Sequence, residues 1–315
     1  MADEQNQRNE ASTEPAKPAG LLYHYTDQKG LVGILESGCI WATHYRFLND
    51  ASERLGALDF FVAIDQMYSI DQHISPRYWG GLRDSLDNTF QLVDAYFVSF
   101  SEESDAPLLS GDRLSQWRSY ALNRQGFSLG FQADYMKGRA DKLTQDLQLA
   151  TLLLPCVYNN ESKEEIVRNI IRNHGEALKR IARERLDTDF PESERIIDDP
   201  KWRREFREFQ TSFLNYSSQF KNYGFKEENE QRLVVYVLKG VSSLNSIEFR
   251  DCAFGRTPYI QLPLGLKDQD SPLRRIVVGP SQSKDQIVIS LKLELARMGV
   301  QGVEVVPSQI PYRNW

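Results

Sequence analysis

Residues 21–53, LLYHYTDQKGLVGILESGCIWATHYRFLNDASE, decide how this chain is read. Leu21-Leu22-Tyr23 is a short apolar-aromatic run and predicts a buried strand. His24, Tyr25 and Thr26 close it. Thr26 and Asp27 both suit an N-cap, and Leu31, Ile34 and Leu35 recur on one face at helical spacing. Gly38 stands where a left-handed C-cap belongs. Ile40-Trp41-Ala42 opens a second strand, and Asn49-Asp50 marks a turn or the cap of another helix. The unit is strand, polar tripeptide, helix of about three turns, glycine stop, strand. It delivers His24, Tyr25 and Thr26 to the mouth of a sheet. A histidine in that place is either a satisfied, half-buried ring or part of a site, and the stretch alone favours the first.

Working outward, the same logic repeats. Before it, Met1 to Gly20 is polar and proline-bearing without apolar periodicity, which predicts a disordered tail. After it, Ala51–Ser69 and Arg77–Phe90 read as helices and Ala95–Ser101 as the clearest central strand of the first half. Leu114–Tyr120 reads as a short helix, Gly126–Phe131 and Thr151–Tyr158 as strands, and Glu161–Arg185 and Pro200–Phe220 as amphipathic helices. Leu233–Val237, Pro258–Leu262, Arg275–Pro280 and Gly302–Val306 read as strands, with a helix over Ser283–Met298. Strands resume after the helices, so residues 159–222 are a helical insertion within one domain spanning 21–315; an independent helical module is the alternative. Strands and helices mix without a regular βαβ rhythm, which predicts an α+β fold.

Composition bounds the function. At 41% hydrophobic and 26% charged, the 315 residues have an ordinary soluble composition. A net charge of −6 argues against a generally basic nucleic-acid surface. The three cysteines form no CxxC pair and the four histidines are scattered, so no zinc site suggests itself. The odd cysteine count and the lack of a signal-peptide pattern predict a cytoplasmic protein, and no apolar run approaches the ~20 residues of a membrane span. Glu227, Glu228 and Glu230 cluster at the start of the Leu233–Val237 strand. Acidic runs are usually solvated, but this one lies between apolar segments.

The chain resembles a bacterial family known as a domain of unknown function. The residues that carry the resemblance are Tyr23-His24-Tyr25-Thr26, Ile34-Leu35 with Gly38, Asn49-Asp50 with Glu53, Ser99-Phe100-Ser101-Glu102 and Ser115-Gln116-Trp117-Arg118. Gly130-Phe131, Phe225 with Glu228, Glu230 and Arg232, Val278-Gly279-Pro280 and Pro311-Tyr312-Arg313 complete it; Gln231 departs from an expected tryptophan. A second resemblance is to the ADP-ribosyltransferase fold, through His-x-Thr on a first strand, Ser-x-Ser on a middle strand and Glu-x-Glu entering a late one. The opening is similar to that of DNA-modifying ADP-ribosyltransferase toxins.

This second resemblance implies a split pair of small sheets with NAD, as substrate, in the cleft. Breaking the nicotinamide–ribose bond leaves positive charge on the ribose, and a fixed carboxylate stabilises it. The resemblance gives that role to Glu230. Glu228 takes the proton of the incoming nucleophile; two residues apart on an extended chain, the carboxylates share a face and raise each other's pKa. His24 holds the adenosine ribose with help from Thr26, Ser99 and Ser101 position the glutamate and the nicotinamide ribose, and Tyr25 or Tyr120 stacks on a ring. Trp117 and Arg118 form an aromatic-cation cluster that reads either as a core tryptophan with a surface arginine or as a ligand-facing pair; the Arg118 fork suits a pyrophosphate, which favours the second. No metal is required. The acceptor, protein or nucleic acid, is not specified, and a role in bacterial defence or toxicity rests on fold analogy. Two other classes stay open: a non-catalytic nucleotide-sensing domain, and a metal-dependent nucleic-acid-processing enzyme holding Mg²⁺ on Asp50, Glu53 and the Glu227–Glu230 cluster.

Overall fold

In the computed structural model, the described residues are 20–48, 85–102, 111–120, 125–175, 177–178, 180, 200–240, 245–252, 255–266, 268 and 270–311. The predicted helix over Ala51–Ser69, the tail, Asn49, Asp50, Glu53 and Tyr312-Arg313 lie outside them.

The opening unit folds as its residues dictate. Strand β1 (Leu21–Asp27) runs into helix α1 (Gln28–Ser37), where the Asp27 side chain accepts from Gly30 N at 2.9 Å as N-cap. Leu31, Ile34 and Leu35 are its buried face. Gly38 stops it at φ 69°, its N–H reaching Ile34 O at 2.9 Å, and β2 (Cys39–His44) follows. Residues 85–92 are helical (α2) and lead into β3 (Val93–Glu102). Helix α3 (Leu114–Tyr120), β4 (Gly126–Gln132), α4 (Ala133–Leu147) and β5 (Thr151–Pro155) come next. The helical excursion holds α5 (Asn160–Ile170), a π-turn at Ile171–Gly175 and α6 (Pro200–Ser217). A 3₁₀ helix at Tyr223–Glu228 then precedes β6 (Glu230–Leu238). The chain closes with β7 (Ile247–Cys252), β8 (Gly255–Pro263), β9 (Leu273–Val278), α7 (Lys284–Arg297) and β10 (Glu304–Pro307).

These form an α+β structure built on one mixed sheet of ten strands, with helices flanking it. The order is β10-β9-β4-β1-β3-β2-β8-β7, with β6 on β3 and β5 on β6. Among the described strands β9 and β10 pair in parallel and the other strand pairs are antiparallel. The two small sheets implied by the resemblance are therefore one hydrogen-bonded network. The physical reason is the length of β3. Its ten residues hold β6 along one edge, from Val93↔Leu238 to Ser101↔Glu230. The other edge serves two strands: β2 at Tyr96 and Phe97, and β1 at Ser101 and Glu102. Between them, at Val98, Ser99 and Phe100, β1 and β2 diverge and the sheet forks.

The main core lies where α1, α4 and α7 pack on the sheet, with Leu35, Ile40, Phe100, Phe131, Leu143 and Leu291 among its buried residues. A second cluster joins α2 to the excursion through Leu86, Phe90, Ile170, Phe209 and Phe213. Tyr236 Oη donates to Leu214 O at 3.1 Å and so ties α6 to β6. The excursion begins and ends at one place: Val157 bridges Phe220, Val157 N donates to Gln219 O at 2.8 Å, and Lys221 N donates to Val157 O at 3.0 Å.

Candidate functional site

The fork opens a cavity of about 450 Å³, within the ~300–1,000 Å³ range of ligand pockets. Residues 23–27 of β1, 97–101 of β3, Glu230 and Arg232 of β6, and Glu228 line it. Lys221, Phe225, Trp41, Thr43 and Arg250 add to the walls, with Gln116 and Ser119 from α3 and Gly30, Ile34, Phe47 and Leu48. His24, Tyr25, Thr26, Ser99, Ser101, Glu228 and Glu230, dispersed over some two hundred positions of sequence, thus share one space.

At the fork, His24 takes the place of a missing strand partner. Its Nδ1 lies 3.0 Å from Ser99 O, and since a carbonyl only accepts, Nδ1 carries the proton. Burial lowers the His24 pKa against the opposing effect of that bond, with Arg250 adding to the lowering. The ring is neutral at pH 7 and Nε2 is left as an acceptor. Thr26 sits hard against the first turn of α1, where a Cβ on Gly30 would come within 1.9 Å of Thr26 Oγ1. Tyr25 is buried edge-on to Trp117, ring centroids 5.0 Å apart, and its hydroxyl accepts from Arg113 N at 3.3 Å.

Glu230 is 3% exposed and held from several sides. Ser99 Oγ donates to Oε1 at 2.6 Å, Arg232 Nε donates to the same oxygen at 2.7 Å, and Lys221 Nζ engages Oε2. Glu230 N donates to Tyr158 Oη at 2.7 Å. Burial pushes the Glu230 carboxyl up, but Arg232 and Lys221 outweigh it and hold the pKa at about 2. Burial likewise pulls Lys221 down; the Glu230 and Glu228 carboxylates overcome this and the repulsion of Arg232, and raise it well above the ordinary lysine value.

Glu228 reaches the site by a different route from the one expected. It ends the 3₁₀ helix, and Asn229, at φ 42°, turns the chain before β6 begins. The two glutamates are therefore not alternate residues of one strand. Nor is the Glu230 carboxyl raised by a like-charged neighbour: Lys221 stands between the two glutamates, 2.5 Å from Glu228 Oε2 as well as on Glu230. The loop is braced: Asn229 Nδ2 donates to Glu102 O at 2.6 Å, and Arg113 donates to Glu227 O at 2.7 Å and Glu102 O at 3.2 Å.

Trp117 and Arg118 do not line the cavity. The Trp117 indole is buried, and its Nε1–H donates to Asp112 Oδ1 at 2.7 Å, the oxygen that also accepts from Ser308 Oγ. It anchors the C-terminal segment. Arg118, one position on around α3, is exposed and off the cavity, while buried Gln116 and exposed Ser119 line it. The Tyr120 side chain, Asp50 and Glu53 lie outside the described residues. Among the described residues, the group whose ligand atoms lie close enough for a metal is His174, Glu205 and Glu208. It belongs to the excursion. There His174 Nδ1 already meets Glu205 at 2.8 Å and Nε2 lies 3.3 Å from Ser212 Oγ.

Sequence reasoning did not assign Lys221, Arg232, Arg250 or Thr43. Arg232 was visible only as the end of the Glu-x-Glu-x-Arg run. Arg250 carried no signal, because Ile247–Cys252 shows no apolar alternation.

With the geometry in hand, the comparisons add one positive finding. A family model described as Protein of unknown function (DUF2971) matches residues 116–233. The matched stretch contains Lys221, Glu228, Glu230 and Arg232 but neither His24 nor Ser99. No curated protein and no solved structure matches the chain. No helix among the described residues is long and apolar enough to cross a membrane.

Proposed function

We propose that this protein binds NAD in the forked-sheet cavity, cleaves it, and transfers ADP-ribose to a macromolecular acceptor. The observation that carries the reading is the meeting of His24, Ser99 and Glu230 at the fork, the three groups that the ADP-ribosyltransferase resemblance singles out. The bond between nicotinamide N1 and ribose C1′ breaks, and nicotinamide leaves neutral with the electron pair. The cation left on the ribose faces Glu230, ionised and pre-oriented by Ser99 and Arg232, so little reorganisation is needed as charge develops. The acceptor's nucleophile bonds to C1′ and its proton passes to Glu228. His24, neutral with Nε2 as acceptor, suits a ribose hydroxyl. The reading places the enzyme in the cytoplasm.

A second reading, nucleotide binding without turnover, is favoured by one observation: Lys221 sits on both Glu228 and Glu230 and offsets their charge. Incubating the full chain with NAD labelled in the nicotinamide and adenylate halves decides between them. Release of nicotinamide supports transfer or hydrolysis. Saturable binding with no release supports the sensor, and no binding discards both.

A further inference from the structure

The cavity has a second charged wall that the chemistry above does not use. Strand β7 is the edge of the sheet, and Arg250 reaches from it across β8 to β2. Its Nη2 donates to Thr43 Oγ1 at 3.0 Å. The guanidinium lies over the rings of Trp41 and Tyr259, 5.5 and 5.9 Å from their centroids. Those rings are 5.1 Å apart, and Trp41 is seated tightly enough on α1 that a Cβ on Gly33 would come within 2.9 Å of it. The result is a fixed platform that holds a planar cation at the cavity wall.

Its charge state sets Arg250 apart from its neighbours. Lys221 and Arg232, the other basic residues of the lining, are each bonded to a glutamate. Among the described residues, Arg250 has no carboxylate within ion-pair distance and is hydrogen-bonded to a neutral hydroxyl. Burial lowers its pKa, with Tyr259 and Asp27 acting in the opposite sense. A half-buried guanidinium without an acid partner is costly unless an anion completes it. A planar fork in a partly desolvated cleft matches two oxygens of a phosphate.

We infer that Arg250, steadied by Thr43 and the Trp41–Tyr259 pair, is the subsite for the diphosphate of the nucleotide ligand. The assignment rests on the dinucleotide reading for the identity of the ligand, but the anion subsite is testable by itself. Phosphate at Arg250 places the ligand's negative charge on the β2–β8–β7 limb of the fork, away from the carboxylates of Glu228 and Glu230, and so fixes its direction in the cleft.

The test is calorimetric titration of the full chain with adenosine diphosphate, inorganic diphosphate, adenosine and NAD. Arg250→Met is expected to weaken adenosine diphosphate and inorganic diphosphate at least about tenfold while leaving adenosine unchanged. Arg250→Lys keeps the charge but loses the fork, and covers the case in which the methionine variant does not fold. It is expected to fall between wild type and Arg250→Met. Equal loss of adenosine and adenosine diphosphate affinity would mean a merely structural arginine and overturns the proposal, as does undiminished diphosphate binding in a folded variant. Wild type binding neither phosphate-bearing probe overturns it too. If wild type binds diphosphates through Arg250 but not NAD, the dinucleotide reading falls and the subsite stands. If NAD binds equally to wild type and Arg250→Met, the subsite falls and the reading stands.

Discussion

Ser99 Oγ donates a 2.6 Å hydrogen bond to Glu230 Oε1 across the β3–β6 ladder, although Ser99 is in register with Arg232 and Glu230 with Ser101. The bond is thus diagonal. It pulls the carboxylate along β3 towards the fork, where the carbonyl of the same serine receives His24 Nδ1. One residue sets both groups. Ser99→Ala is expected to lower nicotinamide release about tenfold, the worth of one well-placed hydrogen bond to a charge, with a near-native melting temperature. Ser99→Thr keeps the hydroxyl and should recover much of the rate. Equal rates in wild type and Ser99→Ala would remove Ser99 from the mechanism.

Glu230→Gln is expected to slow nicotinamide release by at least about a hundredfold, roughly 3 kcal/mol of lost stabilisation opposite a developing cation. The same substitution also destabilises the fold, because removing the anion leaves the buried Arg232 without its carboxylate and Lys221 with Glu228 alone, a change that costs about 3–5 kcal/mol in buried pairs. Glu230→Gln combined with Lys221→Met should regain much of the stability and none of the turnover. Urea unfolding of the single and double variants, run beside the NAD assay, separates the two effects.

The Glu230 carboxyl is lowered from 4.5 to about 2, so its contribution to stability is present above pH 4.5 and lost as the pH falls through about 2. The amount is on the order of 3 kcal/mol and is the same interaction seen from Lys221 and Arg232, counted once. On the alkaline side, Lys221 is raised, so its part is complete below 10.5 and fades only above it. Unfolding midpoints should fall between pH 5 and pH 2 in wild type and less steeply in the Glu230→Gln, Lys221→Met pair. Parallel curves would contradict the assigned ion cluster.

Arg118→Ala is expected to change nucleotide affinity by no more than about 0.5 kcal/mol, roughly a factor of two, since the side chain is exposed and off the cavity. A titration showing a tenfold loss would restore it to the site.

Asn229 turns the chain at φ 42° and clamps Glu102. Asn229→Val is expected to cost about 1–3 kcal/mol, because a β-branched residue resists that conformation and the clamp is lost. Asn229→Gly, which loses only the clamp, should cost less. Melting curves that rank the two the other way would mean the turn is not under backbone constraint.

The elements that deliver the site were legible because each ends a dense run of strand formers: Leu21–Tyr23, Ala95–Ser101 and Leu233–Val237 were all expected as strands, and β1–β3–β6 lie side by side. Two elements were missed for physical reasons. In α4 only Met136, Ala140 and Leu143 are buried, too sparse a stripe to stand out among charged residues. Strand β7 is an edge whose residues are exposed or half-exposed, so it has no period to detect. The ion cluster was illegible for another reason. Lys221 and Arg232 are buried charges, and their partners come from chain turns that no local pattern reveals. Glu228 was read as extended because a local pattern does not announce a left-handed Asn229.

The excursion between Val157 and Phe220 leaves and rejoins the sheet side by side at one clasp, with Tyr236 and the α2 cluster holding it further along. In polymer terms it is a closed ring, and the free energy of closing such a ring grows only with the logarithm of its length, about 0.6 kcal/mol per doubling. Whole helical turns can therefore be gained or lost inside it at little cost to the sheet, provided the clasp, the Tyr236 tie and the packing on α2 survive. The position that cannot drift is the one just past the clasp, Lys221. Lengthening or pruning the excursion in that way restyles the outer surface while Lys221, the residue just past it, stays docked against the two glutamates.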